Sequence, residues 1–110
     1  MALRPNRLRA YRKRAGLSQV ELAALLGLRS QSVLSEVELA RTRPGLDVLL
    51  GCERIFDAPA SELFPNLTAR VERALLNRAK GLTGKTAGRN AERKAAHIAA
   101  LVTRLNHSSV

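Results

Sequence analysis

Short apolar stretches at helical spacing, each closed by a glycine or a proline, constrain the fold of this 110-residue chain more than any other feature. Gly16, Gly27 and the pair Pro44-Gly45 separate the stretches. Leu and Ala dominate the apolar residues and β-branched residues are sparse, which favours helices over strands. A chain of this length holds one ordinary domain and an appended helical piece. We therefore predict an all-α fold, with five helices in residues 1–65 and a two-helix extension in residues 66–110.

Capping and breaking residues set the expected helix boundaries. In the first domain we predict helices at about residues 6–15, 18–26, from 30 onward, 46–56 and 58–64, with Pro65 closing the fifth. Ser18 and Glu21 have the spacing of a capping box, in which each side chain accepts a hydrogen bond from the backbone amide of the other residue. Ser30 is expected to cap the third helix, which would otherwise lack a side-chain acceptor at its start.

The apolar spacing also predicts which side chains are buried. On the first helix Leu8, Tyr11 and Ala15 share the inner face. The outer face then carries Arg7, Arg9, Arg12, Lys13 and Arg14. On the second helix we expect burial of Leu22, Ala23 and Leu26. On the third we expect burial of Leu34 and Val37, with Val33 beside them. On the fourth the expected buried residues are Leu46, Leu49, Leu50 and Ile55. Cys52 has no nearby His base, so we interpret it as a core thiol.

The second and third helices have the pattern of a helix-turn-helix motif. A tight turn at Gly27 joins them, and Leu34 and Val37 give the third helix an apolar face for docking. Its other face carries short polar side chains of a size that fits the major groove of DNA, namely Gln31, Ser32, Ser35 and Glu36. An ordinary helical hairpin is the alternative, because short polar side chains are common on exposed helix faces.

Many residues of this region follow one another in a specific order. They are Leu17-Ser18-Gln19, Leu22-Ala23, Leu26-Gly27, Ser30-Gln31-Ser32, Ser35, Glu38 and Arg43-Pro44, followed by the segment 58–64. In this order and spacing they resemble the phage-repressor-like (XRE, Cro/repressor-type) helix-turn-helix family over about residues 7–64. The resemblance implies a five-helix, repressor-like DNA-binding domain that recognises double-stranded DNA in a sequence-specific manner.

The resemblance also implies which residues contact DNA. The base contacts would be Gln31 and Ser32 on the first turn of the recognition helix and Ser35 and Glu36 on the second. The phosphate contacts would be Gln19, Arg29, Ser30, Arg41 and Arg43. Glu36 has two opposed interpretations, because a carboxylate can accept from cytosine N4 or can repel the phosphates.

The chain departs from the family pattern at three places. The step from Gly27 to Glu38 is one residue longer than is usual, so the turn is longer and Arg29 is pushed outward. Leu39-Ala40 replaces the family's Arg-Gly, and without that glycine the third helix is expected to run a turn further. Glu36 stands where a basic or amide residue is commoner.

The charge favours a polyanionic partner. The chain has 19 Lys and Arg against 9 Asp and Glu, and the excess is concentrated in the extension, with nine against two in residues 66–110. In this extension we predict a helix from Asn66, as its cap, to about Lys80, with an apolar stripe of Leu67, Val71, Ala74 and Leu75. A linker at 81–89 and a helix at about 90–106 follow.

The last helix carries an apolar seam at alternating four- and three-residue spacing. Its members are Ala91, Ala95, Ile98, Val102 and Leu105. We expect this seam to form a homodimer, and the alternative is that it folds back onto the preceding helix of the same chain.

Other function classes have little support in the sequence. His97 and His107 stand without a Cys or second His at ligand spacing, and no catalytic constellation is visible, so we expect no metal, no cofactor and no enzyme activity. No signal peptide or bilayer-spanning stretch is evident, so a cytoplasmic protein is expected. The leading interpretation is a dimeric transcription regulator, more specifically a repressor. Two alternatives stay open: an antitoxin-like module that binds a protein partner through residues 66–110, and a non-specific architectural binder of nucleic acid.

Overall fold

The computed structural model describes residues 6–108 and shows seven α-helices and no strand within that range. They are α1 (Leu8–Arg14), α2 (Gln19–Leu25), α3 (Gln31–Glu38), α4 (Leu46–Phe56), α5 (Ala60–Leu63), α6 (Pro65–Leu82) and α7 (Ala91–Ser108). The all-α prediction is therefore confirmed. By contacts the chain divides into two compact units, and the boundary falls between Asn66 and Leu67.

The first unit has a core built from one or two residues of each helix. Its fully enclosed side chains are Leu8, Leu22, Leu34, Cys52, Leu63 and Phe64. Burial of several large apolar side chains is the main source of stability in a domain of this size. The predicted burial of Leu22, Ala23, Leu34 and Val37 is confirmed, whereas Leu26 and Val33 are half-buried.

The glycines that close α1 and α2 do so in the way expected. Gly16 and Gly27 have φ values of 75° and 69°, a left-handed conformation that glycine adopts without strain. The amide of Gly16 donates to the carbonyl of Lys13, and the amide of the next residue, Leu17, donates to that of Arg12. This pair of bonds is a Schellman motif, and the corresponding pair follows α2.

The end of α3 corrects one expectation. The helix does not run a further turn, because Ala40 takes the left-handed conformation itself, with a φ of 59°. The amide of Ala40 donates to Val37 and that of Arg41 to Glu36, which completes a third Schellman motif. Ala40 thus occupies the position at which the family usually has glycine, and its backbone adopts a left-handed conformation that a Cβ atom disfavours.

The buried face of α4 also differs from the expected one. Leu46 and Leu50 are 69% and 51% exposed, and the buried residues of this helix are Val48 and Cys52. Gly51 closely approaches the residue that follows α2: a Cβ atom there would lie 2.8 Å from Cδ2 of Leu26. Because the face around Gly51 is turned inward, the leucines about a third of a turn away point to solvent.

The second unit contains most of α6 and all of α7. Pro65 is the first residue of α6, so it opens this helix as well as ending α5, and Asn66 is not the cap. The buried residues of α6 are Leu76 and Ala79, whereas the expected stripe residues Val71 and Leu75 are 53% and 40% exposed. The helix continues to Leu82, which shortens the predicted linker at its start.

The seam of α7 is partly covered within one chain. Leu105 is buried, Ala91, Ile98 and Val102 are half-buried, and Ala95 is exposed. No helix within residues 6–108 is both long enough and apolar enough to cross a membrane.

Candidate nucleic-acid interface

The turn between α2 and α3 positions the candidate recognition helix. The capping box at the start of α2 is confirmed: the Glu21 amide donates to Ser18 Oγ at 3.0 Å and the Ser18 amide donates to Glu21 Oε1 at 2.9 Å. This exchange also lowers the pKa of the Glu21 carboxyl, because the ionised form is the better acceptor. Ser30 occupies the N-cap position of α3, but its side chain makes no capping hydrogen bond and is exposed.

The residues with predicted base contacts share the outer face of α3. Gln31 and Ser32 are exposed, and Ser35 and Glu36 are half-exposed. Leu34 and Val37, on the opposite face, are at most 3% exposed and dock the helix on the core. The helix therefore has one anchored face and one polar face, as a helix that enters the major groove requires.

A groove between α1, α2 and α3 adds residues that the sequence analysis did not connect with this face. It has a volume of about 880 Å³ and brings Gln19, Gln31 and Ser35 together with Arg9 and Lys13 of α1. Arg9 and Lys13 are exposed and lie one helical turn apart. Their i, i+4 spacing was visible in the sequence, but only the packing of α1 beside α2 places them at the edge of the polar face.

A buried ionic network forms part of the lining of this groove, and it corrects the predicted position of one residue. Arg12 was expected on the outer face of α1, yet it is 7% exposed and Glu38 is 3% exposed. Nε of Arg12 lies 2.7 Å from Oε2 of Glu38, and its Nη1 donates to the carbonyl oxygen of Leu17. Gln19 completes the network by donating from Nε2 to Oε1 of Glu38 at 3.0 Å.

This network gives Gln19 and Glu38 defined structural roles. Arg12 offers the fork-shaped set of donors that suits a carboxylate, and the pairing compensates the burial of both charges. Gln19 donates one of its two amide hydrogens to Glu38. A primary amide also has a second hydrogen and a carbonyl oxygen that can form further hydrogen bonds. The bond holds the Gln19 side chain at the N-terminus of α2, where a phosphate contact by this residue stays a prediction.

The remaining predicted contacts lie at both ends of α3. Arg29, Arg41 and Arg43 are exposed. Nη1 of Arg41 lies 3.4 Å from Oε2 of Glu36, and both side chains are open to solvent. This ion pair is weak because water screens it. It nonetheless shows that Glu36 has a cationic neighbour in the protein itself.

The single cysteine of the chain lies in the core of the first unit. Cys52 is fully enclosed, as expected of a core thiol, and burial followed by the charge of Glu38 raises its pKa to about 11. A thiol with this pKa is protonated and unreactive near neutral pH. Among residues 6–108, no three His, Cys, Asp or Glu side chains lie close enough together to hold a metal ion.

Comparison with known proteins agrees with this geometry. Residues 8–63 match the family model described as Helix-turn-helix, and they span the five helices α1–α5. The chain belongs to this family. Within it the chain is of the XRE, Cro/repressor-like type, a family of DNA-binding transcription regulators. No curated protein and no solved structure matches the chain significantly.

Proposed function

We propose that this helix-turn-helix protein recognises a specific duplex DNA site through α3 and represses transcription as a homodimer. The observation that carries the proposal is the division of α3 into an apolar face seated on the core and a compact polar face at the edge of a basic groove. Gln31 is the foremost candidate for base recognition, because an amide can bond both N6 and N7 of adenine. Ser32, Ser35 and Glu36 follow along the same face.

Phosphate contacts would fix the register of this helix on the duplex. We assign them to Gln19, Arg29, Ser30, Arg41 and Arg43, all of which are exposed or half-exposed at the ends of α2 and α3. Arg9 and Lys13 join them as the cationic rim of the groove. Contacts of this kind contribute affinity that does not depend on sequence.

A homodimer would give the two recognition helices a spacing of about 34 Å, one turn of B-form DNA, on a two-fold-related site. The exposed seam residue Ala95, next to the half-buried Ile98 and Val102, supports a contact with a second copy. The arrangement requires no cofactor and no metal.

Selection of bound duplexes from a random library, followed by affinity measurements, tests the proposal. Gln31→Ala should weaken binding to the selected site by about 1–3 kcal/mol and leave random duplex almost unchanged. Arg43→Ala is the matched contrast: it should weaken both duplexes alike and make the plot of log K against log salt shallower by about 1. Recovery of no preferred sequence from the library would contradict the proposal and would favour a non-specific architectural binder.

A further inference from the structure

The second unit is the most basic part of the chain, and the proposed interface does not use it. From Leu67 onward the chain has nine Lys and Arg against two Glu, a net charge of +7, whereas the preceding 66 residues have ten against seven, a net charge of +3. All nine basic side chains are exposed. Surfaces that serve solubility alone mix both signs, and such a one-sided excess is typical of binding to nucleic acid.

The carboxylates of this unit do not neutralise the excess. Glu72 is half-buried and Glu92 is exposed, and neither forms an ion pair within residues 6–108. The two ion pairs found in that range, Arg12–Glu38 and Arg41–Glu36, lie in the first unit. Arg70, Arg73, Lys80, Lys85 and Lys94 form no ion pair among residues 6–108, so their positive charge is available to an external anion.

One group of these cations forms a stripe along α6. At 100° per residue, Arg70, Arg73 and Lys80 fall within an arc of about 80°, and they extend over about 15 Å of the helix. Glu72 lies outside this arc. Because the three side chains project from one side, a single extended anion can contact all of them.

A second group converges after α6. Lys85, Lys94 and His97 line one cavity of the second unit together with the hydroxyl-bearing Thr86. No carboxylate is among the residues that line it. We call Arg70, Arg73, Lys80, Lys85 and Lys94 the basic surface.

We propose that the basic surface binds the phosphate backbone of the duplex that the first unit recognises. This inference rests on the proposed function. A polymer with phosphates at regular intervals matches cations distributed over both α6 and α7, and Arg forms two parallel bonds with phosphate oxygens. Since α6 begins at Pro65, directly after α5, binding of DNA by the first unit holds the second at high effective concentration near the same duplex. The basic surface then adds affinity without adding sequence preference.

The test compares the full-length wild type with the triple variant Arg70→Ala, Arg73→Ala, Lys80→Ala on the selected site and on random duplex. Each duplex is used at the length of the site and with about ten additional base pairs at each end. The variant should make the slope of log K against log salt shallower by about 2–3 on the extended duplexes, whatever their sequence. The matched control Arg70→Lys, Arg73→Lys, Lys80→Arg keeps every charge and should keep the wild-type slope. Circular dichroism checks that both variants are folded.

The outcomes separate this inference from the proposed function. A slope that is unchanged in the triple variant on every duplex overturns the role of the basic surface, even if the selected site is still preferred. An unchanged slope together with tighter binding of poly-L-glutamate by the wild type than by the triple variant assigns the surface to an acidic protein partner instead. If the triple variant has a shallower slope than the wild type on all duplexes, and the library selection recovers no preferred sequence, the role of the basic surface is supported. Only sequence-specific recognition is then refuted.

Discussion

Glu38 connects the three helices that build the candidate interface. It lies at the end of α3, and its carboxylate accepts hydrogen bonds from Arg12 on α1 and from Gln19 on α2. A buried carboxylate with several donors fixes the relative position of the elements that supply them, because any displacement leaves a charge uncompensated. The orientation of the recognition helix therefore depends on one buried carboxylate at the end of α3.

Removal of Arg12 should expose this dependence. Arg12→Ala leaves the buried carboxylate of Glu38 with Gln19 as its main donor, so we expect a loss of about 3–5 kcal/mol in the free energy of unfolding. Urea denaturation measures it. Arg9→Ala is the control on the same helix, where an exposed side chain should change stability by less than about 0.5 kcal/mol. Similar values for the two variants would show that the buried pair does not hold the helices together.

A substitution at Ala40 should increase the stability of the protein, whereas Arg12→Ala should lower it. Because its φ of 59° disfavours a Cβ atom, Ala40→Gly should stabilise the protein by about 1 kcal/mol. The same substitution at Ala24, an exposed position inside α2, should destabilise it by a similar amount, since glycine weakens a helix interior. Thermal unfolding of both variants provides the comparison. Loss of stability in both would mean that the left-handed conformation of Ala40 is not strained.

At the scale of the element, α3 presents its two sides to different partners. Its inner side is defined by Leu34 and Val37, which are at most 3% exposed. Its outer side combines amide and hydroxyl groups with the carboxylate of Glu36, and Arg41 just beyond the helix contacts that carboxylate. The chemical character of the outer side therefore depends on whether Glu36 acts on a base or on Arg41.

Substitution of Glu36 distinguishes these roles. We expect Glu36→Gln to weaken the preferred site and to relax the preference at one base pair, because a carboxylate that accepts from cytosine N4 discriminates by about 1–3 kcal/mol. The measurement is the affinity for the selected site and for its single-base variants. Uniformly tighter binding would show that Glu36 only repels the phosphates. If the effect disappears in an Arg41→Ala background, Glu36 acts through Arg41 rather than on DNA.

At the scale of the whole molecule, the assembly state depends on the seam of α7. Four of its five residues are buried or half-buried within the chain, which leaves Ala95 as the exposed member. The proposed homodimer must therefore use a surface that is partly occupied already. An intrachain packing of the seam competes with the dimer for the same side chains.

Sedimentation velocity at micromolar concentration decides between the two arrangements. The wild type should sediment as a dimer, and Ala95→Glu should sediment as a monomer, because it places a carboxylate in the seam. Ala100→Glu is the matched control: Ala100 is also exposed on the same helix but lies on the other side of it. A wild type that is already monomeric would mean that the seam serves only the packing of a single chain.

The sequence by itself determined the local features of this protein. Glycines, prolines and the Ser18–Glu21 pair act on backbone groups within four residues, so the helices α1 to α5, the capping box and the turn at Gly27 could be predicted without tertiary information. The apolar and polar sides of α3 were predictable for the same reason, because helical periodicity alone separates Leu34 and Val37 from Gln31 and Ser32.

Only the tertiary structure decided the features that depend on which elements meet. Arg12 lies four residues after Leu8 and therefore on the same side of α1, but its charge argued for the outer face; it is buried because Glu38, 26 residues later in the chain, lies opposite it. Leu46 and Leu50 were predicted to be core residues, but they are exposed because the side of α4 that contains Gly51 faces inward. Arg9 and Lys13 join the groove only because α1 packs beside α2 and α3. Contacts between residues distant in sequence set these outcomes, and the spacing within one helix does not identify the partner that each side chain meets.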